Sequence, residues 1–164
     1  HYREAIARES TFVPARMNLA TLLSSQARND DAEKLLREAV RLQPTWGQAH
    51  YSLGLLLAED RKRLPEAIRS LERAAGHWTD NPRIPYNLGI AYWQSENFDQ
   101  AAKALQQAID LQPDNPEFVQ SLIQLYVQQR QPKDALPYAR RLLELVPDDP
   151  RVRAFVAQME RQAQ

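Results

Sequence analysis

Tyr86-Asn87-Leu88-Gly89-Ile90-Ala91-Tyr92, followed by Phe98, Ala101, Leu105, Ala108 and Pro113, decides the fold. Leu88-Gly89 sets a bulky knob beside a gap on one helix. Ala101 is the reciprocal small residue early in a second helix, and Leu105, four further on, fills space toward the next element. Pro113 stops the second helix, because it has no N–H and a fixed φ. The frame recurs along the chain. Leu19-Ala20, Leu53-Gly54 and Leu122-Ile123 match Leu88-Gly89, while Ala32, Ala67 and Ala135 match Ala101. Leu36 and Leu71 match Leu105, and Ala39 and Leu142 match Ala108. Leu42-Gln43-Pro44, Leu111-Gln112-Pro113 and Leu145-Val146-Pro147 close three segments, the last two prolines 34 residues apart. The segment holding Leu53-Gly54 is one residue longer, with the extra residue in the turn around Arg61-Lys62-Arg63-Leu64. One helix pair of this kind cannot bury its own apolar faces, whereas several stacked pairs make a continuous core.

Composition agrees with that reading. The chain has 164 residues, 43% hydrophobic and 26% charged, enough to bury a core and too few for several domains. Lys+Arg and Asp+Glu balance at 21 each, so no charge excess drives binding to nucleic acid or an anionic membrane. There are no cysteines, which excludes disulfides and zinc–thiolate sites and leaves cytoplasm and periplasm undistinguished. No apolar run approaches the ~18 residues of a membrane span. The four glycines cannot assemble a phosphate-cradling loop. Ala, Leu, Gln, Arg and Glu, all good helix formers, dominate, so an all-α protein is expected. Helices are expected near 2–9, 14–27, 31–42, 47–60, 65–76, 82–95, 99–111, 116–129, 133–145 and 150–162. The start, His1-Tyr2-Arg3-Glu4-Ala5-Ile6, reads as the middle of a helix, as in a segment cut from a longer protein.

This pattern resembles the tetratricopeptide repeat (TPR) family over essentially the whole chain. The resemblance implies a right-handed α-solenoid forming a single domain over 1–164. Its full repeats would run about 13–46, 47–81, 82–115 and 116–149, after a partial repeat at 1–12 and before a capping helix at 150–164. Tyr2 and Ala5 fall on signature positions of the partial repeat, and Val156-Ala157 on the Leu-Gly positions of the cap. The sequence also departs from the family pattern. Arg16, His50, Pro85 and Val119 stand where a tryptophan is usual. The turn glycine is missing throughout, so Asn29-Asp30, Glu96-Asn97 and Gln131-Pro132 are expected to make the turns. Ile123 replaces a small residue and is expected to push its helix pair apart slightly. Pro137 falls inside a helix and should bend it.

No catalytic constellation emerges, and the chain reads as non-enzymatic with no cofactor and no metal. His1, His50 and His77 are scattered along the sequence. Asp30-Asp31 and Asp148-Asp149 precede helices, where acids act as N-caps and favour the positive helix end. His77 follows Gly76 at a helix end, where a cationic side chain suits the dipole. Arg61-Lys62-Arg63 reads as a solvated basic turn.

The resemblance implies that the first helix of each pair lines a concave groove for a peptide, helix or partner protein. Carried over residue by residue, the groove positions are Met17 and Thr21, then Tyr51 and Leu55. They continue with Arg83, Tyr86, Asn87, Ile90, Trp93 and Gln94, and end with Gln120 and Gln124. Tyr86, Ile90, Trp93 and Gln94 share one helix face. For Tyr86 and Trp93, packing against a neighbouring helix stands beside partner binding. Asn87 matches a family position that often bonds a peptide backbone. The positions of a carboxylate clamp are Met17, Thr21, Ser52, Arg83 and Asn87, of which only Arg83 and Asn87 fit, so no clamp is expected.

The expected function is therefore a protein-interaction scaffold, with a protein or peptide as partner and neither nucleic acid nor membrane insertion. The alternative is a structural spacer or assembly module of a larger multidomain protein. That module would self-associate as a homo-oligomer through its terminal repeat face.

Overall fold

The computed structural model describes His1, Tyr2, Glu4, Ile6 and residues 11–162. The expected helix at 2–9, and Ala5 with it, falls largely outside the described residues. Among the described residues the chain is helical and no strand occurs. The helices are α1 (Val13–Ser25), α2 (Asn29–Leu42), α3 (Gly47–Ala58), α4 (Leu64–His77) and α5 (Arg83–Gln94). Then come α6 (Phe98–Leu111), α7 (Pro116–Gln128), α8 (Pro132–Leu145) and α9 (Pro150–Gln162). Every one lies within two residues of its sequence-expected bounds. Two compact units divide them, residues 1–79 and 80–164. Within each unit every helix packs on its neighbour in sequence, α1 to α4 in the first and α5 to α9 in the second.

The glycines allow close approach as the sequence suggests, but Leu71 and Leu105, expected to fill space toward the next element, pack into the gap of their own pair. A Cβ on Gly54 would lie 2.7 Å from Leu71 Cγ, and one on Gly89 would lie 2.8 Å from Leu105 Cγ. These helices touch through bare backbone, so the leucine of the second helix fills the gap of the first. Ile123 takes the gap position in the α7–α8 pair, and the residue facing it in register is Ala139 rather than a leucine. Both are buried in one cluster with Leu122, Leu125 and Leu142. Knob and gap have changed sides.

Two of the turns sit earlier than expected, and Pro132, expected in one of them, opens α8. Asn29 and Asp30 lie inside α2, and the left-handed residue before them is Ala27, with φ 57°. Glu96 (φ 62°) and Arg130 (φ 56°) are the matching residues after α5 and α7. Each closes the same cap. The Arg28 N–H donates to Leu23 O and the Ala27 N–H to Ser24 O, both at 2.9 Å. The Asn97 and Gln131 N–H groups repeat the longer bond to Tyr92 O and Tyr126 O. This double bond pattern satisfies the last helix carbonyls and requires positive φ at one residue. The longer α3–α4 turn solves the problem differently. Asp60 accepts the Lys62 N–H at 2.9 Å and a 3₁₀ turn over Arg61–Arg63 leads into α4.

Asp30 and Asp31 are not N-caps, because α2 begins before them. They sit in its first turn, and Asp31 accepts from Arg28 Nη2 at 2.5 Å. Asp149 does act as expected, accepting the Arg151 N–H at 2.9 Å. Asn115 caps α7 in the same way through the Glu117 N–H at 3.0 Å. Helix α8 runs unbroken through Pro137.

Candidate functional site

The candidate site is the exposed face of the first helix in each pair, taken separately in the two units. In residues 1–79 this face belongs to α1 and α3. Met17 is 5% exposed and packs in the core with Leu19 and Leu23. Thr21 is exposed, its hydroxyl donating to Met17 O at 3.0 Å. Tyr51 is half-buried with its ring edge-on to Trp78, centroids 6.1 Å apart. Leu55 stays 38% exposed, large for an aliphatic side chain.

In residues 80–164 the face belongs to α5, α7 and α9, and its α5 residues are bound to α7. Tyr86 stacks on the buried Phe118 with centroids 4.8 Å apart. Its hydroxyl lies 3.3 Å from Ser121 Oγ, which itself donates to Glu117 O. Arg83 pairs with Glu117 at 2.8 Å and lies over both the Tyr86 and the Phe118 rings. The Trp93 Nε1–H donates to Gln128 Oε1 at 2.7 Å. Tyr86 and Trp93 therefore fix α5 against α7, so truncating either removes packing as well as surface. Asn87 and Ile90 are half-buried, while Gln94, Gln120 and Gln124 are exposed.

Gln120 and Gln124 stand one turn apart at the mouth of a recess of about 420 Å³. Ile123, Leu142, Val152 and Phe155 give it apolar walls. Asp149 and Arg151 complete the rim and neutralise each other at 2.9 Å, with the Asp149 carboxyl held at about 2 by the Arg151 guanidinium. The sequence reading missed Val152 and Phe155. The signal was present: one more turn of the repeat frame from Asn87, through Ser121, lands on Phe155.

Two other readings change in three dimensions. His50 and His77, remote in sequence, stack with ring centroids 6.3 Å apart. His50 is buried and its Nε2–H donates to Pro44 O at 2.7 Å; burial pushes its pKa down. The Arg61–Arg63 turn is not simply solvated. Arg63 grips Glu33 through both terminal nitrogens, at 2.6 and 2.8 Å, and Glu66 at 2.9 Å. Arg37 closes the ring, reaching Glu33 at 2.8 Å and Glu66 at 2.5 Å. The hydrogen bonds from Arg63, helped by Arg37, hold the Glu33 carboxyl at about 2 against the opposing effect of burial. Among the described residues no three His, Asp or Glu side chains gather to hold a metal. No helix among them is long and apolar enough to cross a membrane.

A tetratricopeptide-repeat family model matches residues 58–108 and 92–159, and a second matches residues 17–82. The chain belongs to the tetratricopeptide repeat family. Solved TPR structures superpose on it closely. MamA from Desulfovibrio magneticus RS-1, residues 41 to the end, has 22% identity and a TM-score of 0.80, covering 91% of this chain and 84% of its own. A further MamA crystal structure has 24% identity and a TM-score of 0.79, covering 89% and 85%. YrrB, described as a TPR protein with an unusual peptide-binding site, has 16% identity and a TM-score of 0.77, covering 96% and 80%. At these identities the likeness shows the fold, a TPR α-solenoid. No protein of curated function matches the sequence.

Proposed function

We infer that this TPR chain is a protein-interaction scaffold whose first-helix face in residues 80–164 holds an extended, uncharged segment of a partner protein. The recess under Gln120 and Gln124 carries this reading. Two amides one helical turn apart offer both donors and acceptors, which suits the alternating N–H and C=O groups of an extended backbone. The apolar walls of Ile123, Leu142, Val152 and Phe155 offer one side chain a place to leave water. The rim charges are already paired, so a charged ligand would gain little there. Asn87, Ile90 and Gln94 continue the same neutral chemistry along α5. The peptide-binding description of YrrB is in keeping with this use of the fold.

Selection from a random peptide library on the immobilised chain tests the reading. Enriched sequences should be uncharged with one aromatic or aliphatic anchor. They should be lost with Gln120→Ala/Gln124→Ala, whose two exposed side chains are not needed for folding. If the chain enriches no sequence, or the double variant retains the same ones, the groove assignment fails. The spacer or assembly module then becomes the better account.

A further inference from the structure

A second recess, of about 190 Å³, lies in residues 1–79 on the opposite kind of surface, between the second helices α2 and α4. It has room for roughly six waters by liquid volume. Arg37 and Val40 of α2, His50 and Leu53 of α3, and Glu66, Arg69, Ser70 and Arg73 of α4 line it. The charges are unevenly committed. Glu66 accepts from Arg37 and Arg63, so its carboxylate is already compensated. Arg69 and Arg73 stand one turn apart on α4 and pair with no carboxylate among the described residues. Two guanidinium groups on the lining are thus left with their donors free.

The recess wall supplies an independent sign. Ser70 is 8% exposed, yet its hydroxyl makes no hydrogen bond among the described residues. Among the described residues no side-chain nitrogen or oxygen sealed from solvent lacks a partner, so the Ser70 hydroxyl is reached from the recess that it lines. A helical serine can bond back to a carbonyl one turn earlier, as Ser121 does to Glu117 O at 3.0 Å. The Ser70 hydroxyl and the Arg69 and Arg73 guanidinium groups line one recess, whose only carboxylate among the described residues, Glu66, is already bonded to Arg37 and Arg63. A compact anion with several acceptor oxygens would satisfy all of them at once, and charge-assisted bonds of this kind are the strong ones.

We propose that Arg69, Ser70 and Arg73 form a binding site for a phosphate-class oxyanion, either free or carried on a phosphorylated side chain. Arg69 and Arg73 donate to its oxygens from the rim and the Ser70 hydroxyl donates from below. The site is independent of the neutral face that holds the partner peptide, and it lies wholly within residues 1–79.

Amide chemical shifts of the full chain, followed during titration with sodium phosphate at constant ionic strength, test the site. Saturable shifts centred on residues 66–73 are expected, with a Kd on the order of 1 mM. Arg69→Gln/Arg73→Gln changes two exposed side chains and should weaken binding at least tenfold with helicity unchanged. Ser70→Ala should weaken it less. Parallel titration with O-phosphoserine separates the two sources. Tighter binding than inorganic phosphate points to a phosphorylated side chain, and equal or weaker binding to the free anion, the site standing in either case. Shifts that do not saturate, or that persist unchanged in the arginine variant, would overturn the proposal.

Discussion

Residues 1–79 and 80–164 meet the same repeat positions with opposite chemistry. At the position where TPR repeats usually carry tryptophan, the first unit buries Arg16 and His50, and the second buries Pro85 and Val119. Arg16 is satisfied by Glu38 at 2.9 Å and His50 by Pro44 O at 2.7 Å. Between second helices, the first unit uses the Glu33–Arg37–Arg63–Glu66 ring. The second unit uses Tyr138, whose hydroxyl donates to Gln106 while its ring stacks on Tyr126 at 5.9 Å. A repeat frame thus fixes where a side chain must be buried or bridged, and leaves open whether the bond is apolar or polar. The cost differs, since a buried polar group must keep its partner.

The exchange of knob and gap gives the largest test of that comparison. Gly54→Ile should cost about 2–3 kcal/mol by overpacking against Leu71. Leu71→Ala should cost about 2–5 kcal/mol by leaving a cavity. Together they recreate the Ile123–Ala139 arrangement inside the first unit. The double variant, measured by chemical denaturation, should be more stable than the sum of the single losses by at least about 2 kcal/mol. Additive losses would mean that the α3–α4 backbone cannot host the exchanged pair.

Glu38→Ala comes next. It leaves the Arg16 guanidinium buried without its carboxylate and should destabilise the chain by about 2 kcal/mol, moderated because Glu38 is half exposed. Arg16→Met/Glu38→Ala should recover most of that loss, since Pro85 and Val119 show the position accepting apolar side chains. If the single and double variants are equally unstable, Arg16 serves through its aliphatic stem rather than its charge.

Acid should also separate the two units. The Glu33 carboxyl is depressed to about 2, with Glu66 lowered in the same ring, first by Arg37. A depressed carboxylate stabilises the fold fully above its unfolded value near 4.5 and loses that contribution as pH falls toward 2. Hydrogen exchange between pH 5 and 2 should therefore show protection of α2 and α4 falling, relative to α6 and α8. The Tyr138–Gln106 bond is uncharged throughout this range, because burial pushes the Tyr138 phenol further up. Glu33→Gln should remove the difference. Parallel loss in both pairs of helices would show that the ion ring adds nothing measurable, as for many exposed pairs.

The sequence made the skeleton legible because its signals are local. Alanine and glycine spacing, and prolines after second helices, each act within a few residues of where they stand. Relations between elements were harder to read. Ile123 looked like an intrusion until Ala139, on another helix, was set opposite it. Glu33, Arg37, Arg63 and Glu66 come from two helices and a turn, and nothing in their spacing announces a ring. Of the proposed groove, Gln120 and Gln124 were visible by register. Tyr86 and Trp93 could not be separated from packing until Phe118, Ser121 and Gln128 were placed beside them. Phe155 was within reach, and escaped because residues 150–164 carried no more than the expectation of a capping helix.

The turns offer the smallest effect and the sharpest comparison within the repeat frame. Ala27, Glu96 and Arg130 each hold positive φ at a position where TPR turns favour glycine. An L-residue there costs about 1–2 kcal/mol in backbone strain, and glycine returns part of that gain through its greater freedom when unfolded. Ala27→Gly, Glu96→Gly and Arg130→Gly should each stabilise by about 0.5–1 kcal/mol, and their separation along the chain should make them additive. A glycine at Glu59, the right-handed C-cap residue of α3 with φ −63°, should destabilise instead. Thermal denaturation of the four variants reads the difference in sign. If glycine helps at all four, the benefit does not come from the left-handed cap. If it helps only at the first three, that conformation is the cause, and the missing turn glycines are a cost that this chain carries in its native fold.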